Sequence, residues 1–282
     1  MSLDNLNPRI WAARLYDNLH KAQVFENCVN TEYEGEIKNF GDSVKISQIG
    51  ALTLSDYTKN SSTVTPEHLS AASLTLVIDK AKSWAFAIDD VDKAQNKPKA
   101  LDAAMREAAY AVANDADTAI AGLYASGGQT VTASVSSATI LSTLTMINQR
   151  LDEKNVPRDG RWVVMTPWGA ATLQLAGIIR KTDNSDLFSK QAGFITDWFG
   201  LKIYVSNNLT NVTASATVPA DEWMAGHTSA IAYASQILNV EGYRSTTRFE
   251  DVMRGLHVYG YKVLDANRLL RVTATRVAET TI

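Results

Sequence analysis

The stretch from Asn96 to Tyr124, NKPKALDAAMREAAYAVANDADTAIAGLY, constrains this chain more than any other. Leu101, Met105, Ala108, Val112, Ala116, Ala119 and Leu123 recur every three or four residues, so they line one face of a helix. Asp102, Arg106, Asn114 and Asp117 fall elsewhere on the wheel. Asn96 is placed to cap the start, Pro98 suits a first turn, and Ser126-Gly127-Gly128 ends the run. A helix of this length spans roughly 40 Å, beyond the usual globular range. Its alanines allow neighbours to lie close to its axis. The charges oppose the helix dipole, with Lys97 and Lys99 at the start and Asp115 and Asp117 near the end. A helix that forms against its dipole is held by tertiary packing, so the expectation is a strut with one covered face. An ordinary core helix satisfies the same periodicity.

The remaining segments arrange themselves around that helix. Residues 1–30 read as an arm: Ile10, Ala13 and Leu15 suggest a short amphipathic turn after Pro8, while Trp11, Phe25 and Cys28 add apolar mass without a period. An arm this short needs another surface. From Tyr33 to Ile88 the pattern is of strands, with Val44 and Ile46 before a polar stretch, SDYTKNSSTVTPEH, and Leu74, Leu76 and Ile78 after it. Two extended limbs around a polar tip make a long β-hairpin. Such a hairpin is marginal in water unless something covers it.

After the helix, QTVTASVSSA reads as a linker or edge strand, and Thr139 to Asn155 as a second helix. That helix carries Ile140, Leu144, Ile147 and Leu151 on one face, with Ser137 as its cap. Arg161–Met165 reads as a buried strand, Thr166-Pro167 as the cap of a helix over Trp168–Ala176, and Leu201–Val205 as a strand. Residues 177–200 show no period and read as a loop, and Thr210 to Ala220 as a surface hairpin or loop. Trp223 to Ile237 fits strand, helix or both. Leu256, Val258, Leu269, Leu270, Val272 and Val277 mark late strands, and no repeat of fixed period is present.

Composition excludes several function classes. Of 282 residues, 45% are hydrophobic and 20% charged, as in folded soluble protein, and no apolar run approaches a membrane span. The start, MSLDNLNPRIWAARL, lacks the pattern of a secretory signal, which implies cytoplasmic synthesis and residence. The single cysteine, Cys28, excludes an intrachain disulfide. A net charge of −3 gives no support for nucleic-acid binding through a basic surface.

Catalytic patterns are missing as well. The sequence holds no phosphate-binding or dinucleotide-binding glycine motif and no G-x-S-x-G. His20, His68, His227 and His257 are scattered without metal spacing, and a structural role is the expectation for each. Cys28 with a distant histidine is the weak form of a thiol hydrolase, whereas free cysteine is usually a small buried hydrophobe. Glu32, Glu34 and Glu36 alternate, so they share one strand face as solvated charges. Asp89, Asp90 and Asp92 read as helix caps rather than a metal site. We assign no catalytic, cofactor-binding or metal-binding residue and expect no enzyme.

Several phrases, in their order, resemble the major capsid proteins of tailed bacteriophages: GDSVKI, AFAIDDVDKAQ, the long helix after it, VPRDGRWVVMTP, GLKIYVSNNL and DVMRGLHVYGYKVL. Together they cover about Tyr33 to Leu264. The resemblance implies an α+β fold of the Hong Kong phage type. It implies an N-terminal arm over 1–30, and an extended hairpin loop with peripheral-domain strands over 31–96. The spine helix of the peripheral domain would occupy 97–128, an axial domain 129–250, and C-terminal strands returning to the peripheral domain 251–282. It implies self-assembly into hexamers and pentamers of an icosahedral shell around double-stranded DNA, without sequence-specific binding, in the cytoplasm of a host bacterium.

Thirty residues of arm leave no room for a fused scaffolding segment, so a separate scaffolding protein and a portal are the implied partners. Some relatives cross-link a loop lysine to an asparagine beside a catalytic glutamate. Lys59 occupies such a loop, its partners are not identifiable, and no cross-link is expected. The competing readings are an encapsulin-like compartment shell, a hydrolase using Cys28 or His257, and a tail-tube or filament subunit.

Overall fold

A computed structural model describes residues 23–33, 41–49, 56, 59, 71–89, 99–177, 193–209, 211–215 and 218–277. The proposed caps Asn96 and Pro98, most of the hairpin tip, residues 1–22, His20, His68, Glu34, Glu36, Asp90 and Asp92 lie outside them.

The long helix, α1, spans Lys99–Ala121 and passes into a 3-10 turn over Gly122–Ser126. Its buried residues are Met105, Ala109, Val112, Ala113, Ala116, Asp117, Ile120 and Ala121. Met105, Val112 and Ala116 lie on the expected face. The face is rotated toward Ala109 and Ala113, which leaves Ala108 and Ala119 half-buried and puts Asp117, read as polar and outward, inside.

The first half of that face, through Val112 and Ala113, lies on a three-stranded antiparallel sheet made of β3 (Lys80–Asp89), β10 (Ile231–Arg244) and β11 (Glu250–Val263), ordered β10-β11-β3, while Ala116, Ile120 and Ala121 join the largest core. Met105 and Ala109 pack with Val240 and Met253, and Trp84 and Phe86 stack beside them with ring centroids 5.8 Å apart. A side chain at Gly255 would collide with the Trp84 ring, so the glycine is what lets the indole lie flat on the middle strand. Alternate residues of a strand point to opposite faces. On the far face Val258 therefore joins Val44, Ile46, Leu76 and Ile78, at the root of a second element.

This second element is an antiparallel ribbon of β1 (Ser43–Ile49) and β2 (Ala71–Val77), registered from Ser43↔Val77 to Ile49↔Ala71. It is the hairpin expected from the two extended limbs. It forms a two-stranded sheet of its own. Of its described residues Val44, Ile46 and Leu76 are buried, and Ser43, Lys45, Ser73, Thr75 and Val77 are exposed.

The largest core surrounds a seven-stranded mixed sheet ordered β4-β12-β9-β5-β7-β6, with β8 paired to β9. Its strands are β4 (Gln129–Val135), β5 (Arg161–Met165), β6 (Phe194–Trp198), β7 (Leu201–Val205), β8 (Asn211–Ser215), β9 (Val218–His227) and β12 (Leu269–Arg276). Every residue of β5 is buried, Arg161 included, and the apolar run Trp162–Met165 is that of an interior strand. Helix α2, Ile140–Glu153, buries Ile140, Leu144, Ile147 and Leu151 as expected. Its cap position is Thr139 rather than Ser137, and Thr139 holds the preceding turn by accepting from the Ser136 N–H at 2.9 Å. Helix α3, Pro167–Leu175, starts where expected, with the Thr166 hydroxyl accepting from the Gly169 N–H.

The segment 177–200, read as a loop, needs correction, because β6 lies inside it. Thr210 to Ala220 contributes the β8–β9 hairpin, one of the two forms expected of it. Trp223 to Ile237 is strand on both sides of a short 3-10 turn, Thr228–Ala230. The boundaries 129–250 and 251–282 do not coincide with the sheets. β10 belongs with β11 and β3, while β12 pairs with β4 and β9 in the seven-stranded sheet. The physical reason is register: the Ile231–Arg244 run finds its hydrogen bonds along β11 from Ile231↔Val263 to Arg244↔Asp251.

Candidate functional site

The residues weighed for catalysis are not assembled into a site. Cys28 is fully buried in the main core, and its thiol faces the Val24 carbonyl at 3.9 Å. Burial, reinforced by the Asp117 charge, pushes that thiol well above its ordinary range, the opposite of an activated nucleophile. His257 is buried on β11, stacked on Tyr259 with ring centroids 5.4 Å apart. Neither ring nitrogen has a hydrogen-bond partner among the described residues, and burial pushes the imidazole down to about 4. His227 fastens a turn: Nδ1 lies 2.8 Å from Ser229 Oγ and Nε2 lies 2.7 Å from the Asp159 carbonyl. Among the described residues no group of three His, Cys, Asp or Glu side chains converges as for a metal. Glu32 is an exposed turn residue whose N–H donates to the Asn30 side chain.

The polar chemistry that the fold does assemble is cross-linking. On α1 the two carboxylates that oppose the helix dipole are both engaged. Asp115 accepts from the Tyr259 hydroxyl at 2.7 Å and pairs with Lys82 at 3.0 Å, joining helix to sheet. Asp117 accepts from the backbone N–H groups of Val24 and Phe25 at 2.9 and 3.4 Å, joining helix to arm. In the seven-stranded sheet the adjacent Asp221 and Glu222 point to opposite faces and are both buried. Arg276 donates to Asp221 at 2.8 Å and Arg271 to Glu222 at 2.7 Å, so β12 closes β9 from both sides. Thr166 Oγ1 donates to Asp221 at 2.6 Å and accepts from Trp223 Nε1 at 3.3 Å. Arg161, 1% exposed, is satisfied by Asp152, Asn148 and the carbonyls of Val156 and Pro157. None of these roles was read from the sequence. The one available signal was acidic residues placed against a helix dipole or inside an apolar strand.

The surface carries apolar groups beyond the ribbon. Tyr110 on α1 is 58% exposed, Phe199 at the β6–β7 turn 81%, and Phe249 at the β10–β11 turn 79%. Lys59 is exposed. Such a chain has a rigid framework and projecting elements with uncovered apolar side chains. That is the construction of a subunit that presents surfaces rather than one that encloses a substrate.

Comparison with known proteins agrees. The family described as phage capsid protein matches residues 71–272. A solved structure from Mycobacterium phage Che8 is similar over 89% of this chain and 90% of its own, with 32% identity and a TM-score of 0.70. The capsid of the cyanophage P-SCSP1u shares the fold over 93% and 90%, at 19% identity and TM-score 0.66. The capsid of Ralstonia phage GP4 does so over 93% of both chains, at 11% identity and TM-score 0.65. No curated protein sequence matches this one at a significant level. The chain belongs to the phage capsid protein family: it is a structural, non-enzymatic major capsid protein, a component of the virion shell that associates with copies of itself.

Proposed function

We propose that copies of this chain form the hexamers and pentamers of an icosahedral shell that encloses double-stranded DNA. The observation that carries this reading is the β1–β2 ribbon. It is a sheet of two strands, anchored at its root by Val44, Ile46 and Leu76, with Val77 45% exposed. A two-stranded sheet is marginal in water, and a neighbouring subunit beneath it supplies the missing cover. In this reading α1 with β3, β10 and β11 is the peripheral domain. The seven-stranded sheet with α2 and α3 is the axial domain around the capsomer axes, and β12 belongs to it. The net charge of −3 suits a container for DNA rather than a protein that binds it by counterion release. Assembly takes place in the host bacterial cytoplasm with separate scaffolding and portal proteins, no residue has a catalytic role, and Lys59 is not cross-linked.

The test is electron microscopy of the expressed chain beside a variant lacking Thr58 to Thr65. The full chain is expected to give closed shells and the deletion a folded, unassembled or misassembled subunit. Tubes or single particles from the full chain, or normal shells from the deletion, overturn the reading.

A further inference from the structure

The segment Gln23–Asn30 is fastened at two points. At its far end the Asn30 N–H donates to the Ile231 carbonyl and the Asn30 carbonyl accepts from the Tyr233 N–H, both at 2.9 Å. At its near end Val24 and Phe25 donate to the Asp117 carboxylate. The first N–H groups of a helical turn have no acceptor within the turn, so Asp117 serves as a cap supplied by another element. Phe25 and Cys28 between the two points are fully buried.

The two fastenings differ in chemistry. The bridge at Asn30 is backbone to backbone and carries no titratable group. Asp117 is 3% exposed, and among the described residues no cation pairs with it. The charged group facing it from the segment is Glu26, another carboxylate. Cys28 lies beside it as a buried thiol, and Lys202 of β7 acts on that thiol. On its own helix Asp115 is taken up by Tyr259 and Lys82. Burial, only partly offset by the two N–H donors, pushes the Asp117 carboxyl up to about 7.

We propose that Asp117 is a proton-operated latch, holding residues 23–28 on the spine helix when neutral and loosening them when ionised. A neutral carboxyl still offers an oxygen to the Val24 N–H. Opening exposes the group to water, where it ionises as an ordinary carboxylate, so opening releases one proton. The balance between closed and open therefore shifts toward open as pH rises through neutrality, by about tenfold between pH 6 and pH 8.

The experiment is hydrogen–deuterium exchange on the full unassembled chain, with protection corrected for the intrinsic rate at each pH. Protection of the Val24 and Phe25 amides is expected to fall about tenfold between pH 6 and pH 8, while the Asn30 and Tyr233 amides stay level. Asp117→Asn keeps an oxygen acceptor and has no proton to lose, so its protection at Val24 and Phe25 should not change with pH. Glu26→Gln leaves the latch intact and removes the facing charge, so the fall should move to lower pH. Equal protection at pH 6 and pH 8 in the native chain overturns the latch. So does a fall that survives in Asp117→Asn, or one that Glu26→Gln leaves in place.

Discussion

The Tyr259 hydroxyl donates to the Asp115 carboxylate at 2.7 Å, tying the middle strand of the three-stranded sheet to the last turns of the spine helix. Burial alone would raise this carboxyl, but the hydrogen bonds from Tyr259 and Lys82 outweigh it and hold it below its ordinary range. The acid that the helix dipole disfavours is thus retained by the sheet. Tyr259→Phe keeps the buried ring and removes the donor. It should destabilise the subunit by about 1.5–3 kcal/mol in urea unfolding, the usual worth of a hydrogen bond to a charged group. An unchanged midpoint would mean that Lys82 alone satisfies Asp115.

A second prediction concerns acid. His257 is neutral where it is buried, with its folded-state value pushed down to about 4 from an ordinary 6.5. Its contribution is present above pH 6.5 and is lost as pH falls toward 4, because the unfolded chain takes up the proton first. Asp117 has the opposite sign. Its value is raised from 3.8 to about 7, so its contribution is present below pH 3.8 and is lost as pH rises through 7. The two offset each other across this window, and a flat native profile would hide both. His257→Gln exposes one of them: relative to that variant, the native chain should lose about 2–3 kcal/mol between pH 7 and pH 4.5. A pH-independent difference would show that His257 does not titrate as a buried group.

Much of the framework was legible because it rests on local periodicity. Ile140, Leu144, Ile147 and Leu151 repeat on a helical period and are buried together. The limbs around the polar stretch do pair, from Ser43↔Val77 inward. What was not legible depends on partners distant in sequence. β10 looked ambiguous because Ala232, Ala234 and Ser235 carry no strand signature, and it becomes a strand through its pairing with β11. Asp117 looked outward because charged residues normally are, and what covers it comes from a segment 92 and 93 residues earlier. Trp198-Phe199-Gly200 hid the end of β6, since Phe199 adopts a left-handed backbone with φ of 50° at the turn.

The third prediction separates a buried ion pair from an exposed one. Asp221 is fully buried and pairs with Arg276, so Arg276→Ala leaves a buried carboxylate whose one remaining side-chain partner among the described residues is the Thr166 hydroxyl. Breaking such a pair from one side should destabilise by about 3–5 kcal/mol. Arg158 also sits on a carboxylate, Asp152, but its side chain is 77% exposed and Asp152 keeps Arg161 at 2.6 Å. Arg158→Ala should stay within about 1 kcal/mol of the native chain. Similar losses for the two would argue that the Asp221 site admits water.

The last prediction tests the phase of the spine helix. Val112 is 6% exposed and packs with Ala113 against Trp84, whereas Asn114, two residues on, is exposed. Val112→Asp forces a carboxylate beneath the indole, where the neighbouring side chains are apolar. Burying an unpaired charge, or keeping it neutral by a raised pKa, costs several kcal/mol, a large fraction of roughly 5–15 kcal/mol for a whole domain. Asn114→Asp places the same charge in water and meets no such penalty. The helix has the same length and nearly the same propensity in both variants, so the contrast isolates burial. The expected outcome is insoluble or unfolded Val112→Asp subunits and normal shells from Asn114→Asp, read by sedimentation and by urea unfolding of the unassembled subunit. Equal tolerance would place the buried face elsewhere on α1. Equal failure in assembly, with Asn114→Asp subunits still folded, would show that the exposed face of the helix is itself covered by a neighbouring copy in the shell.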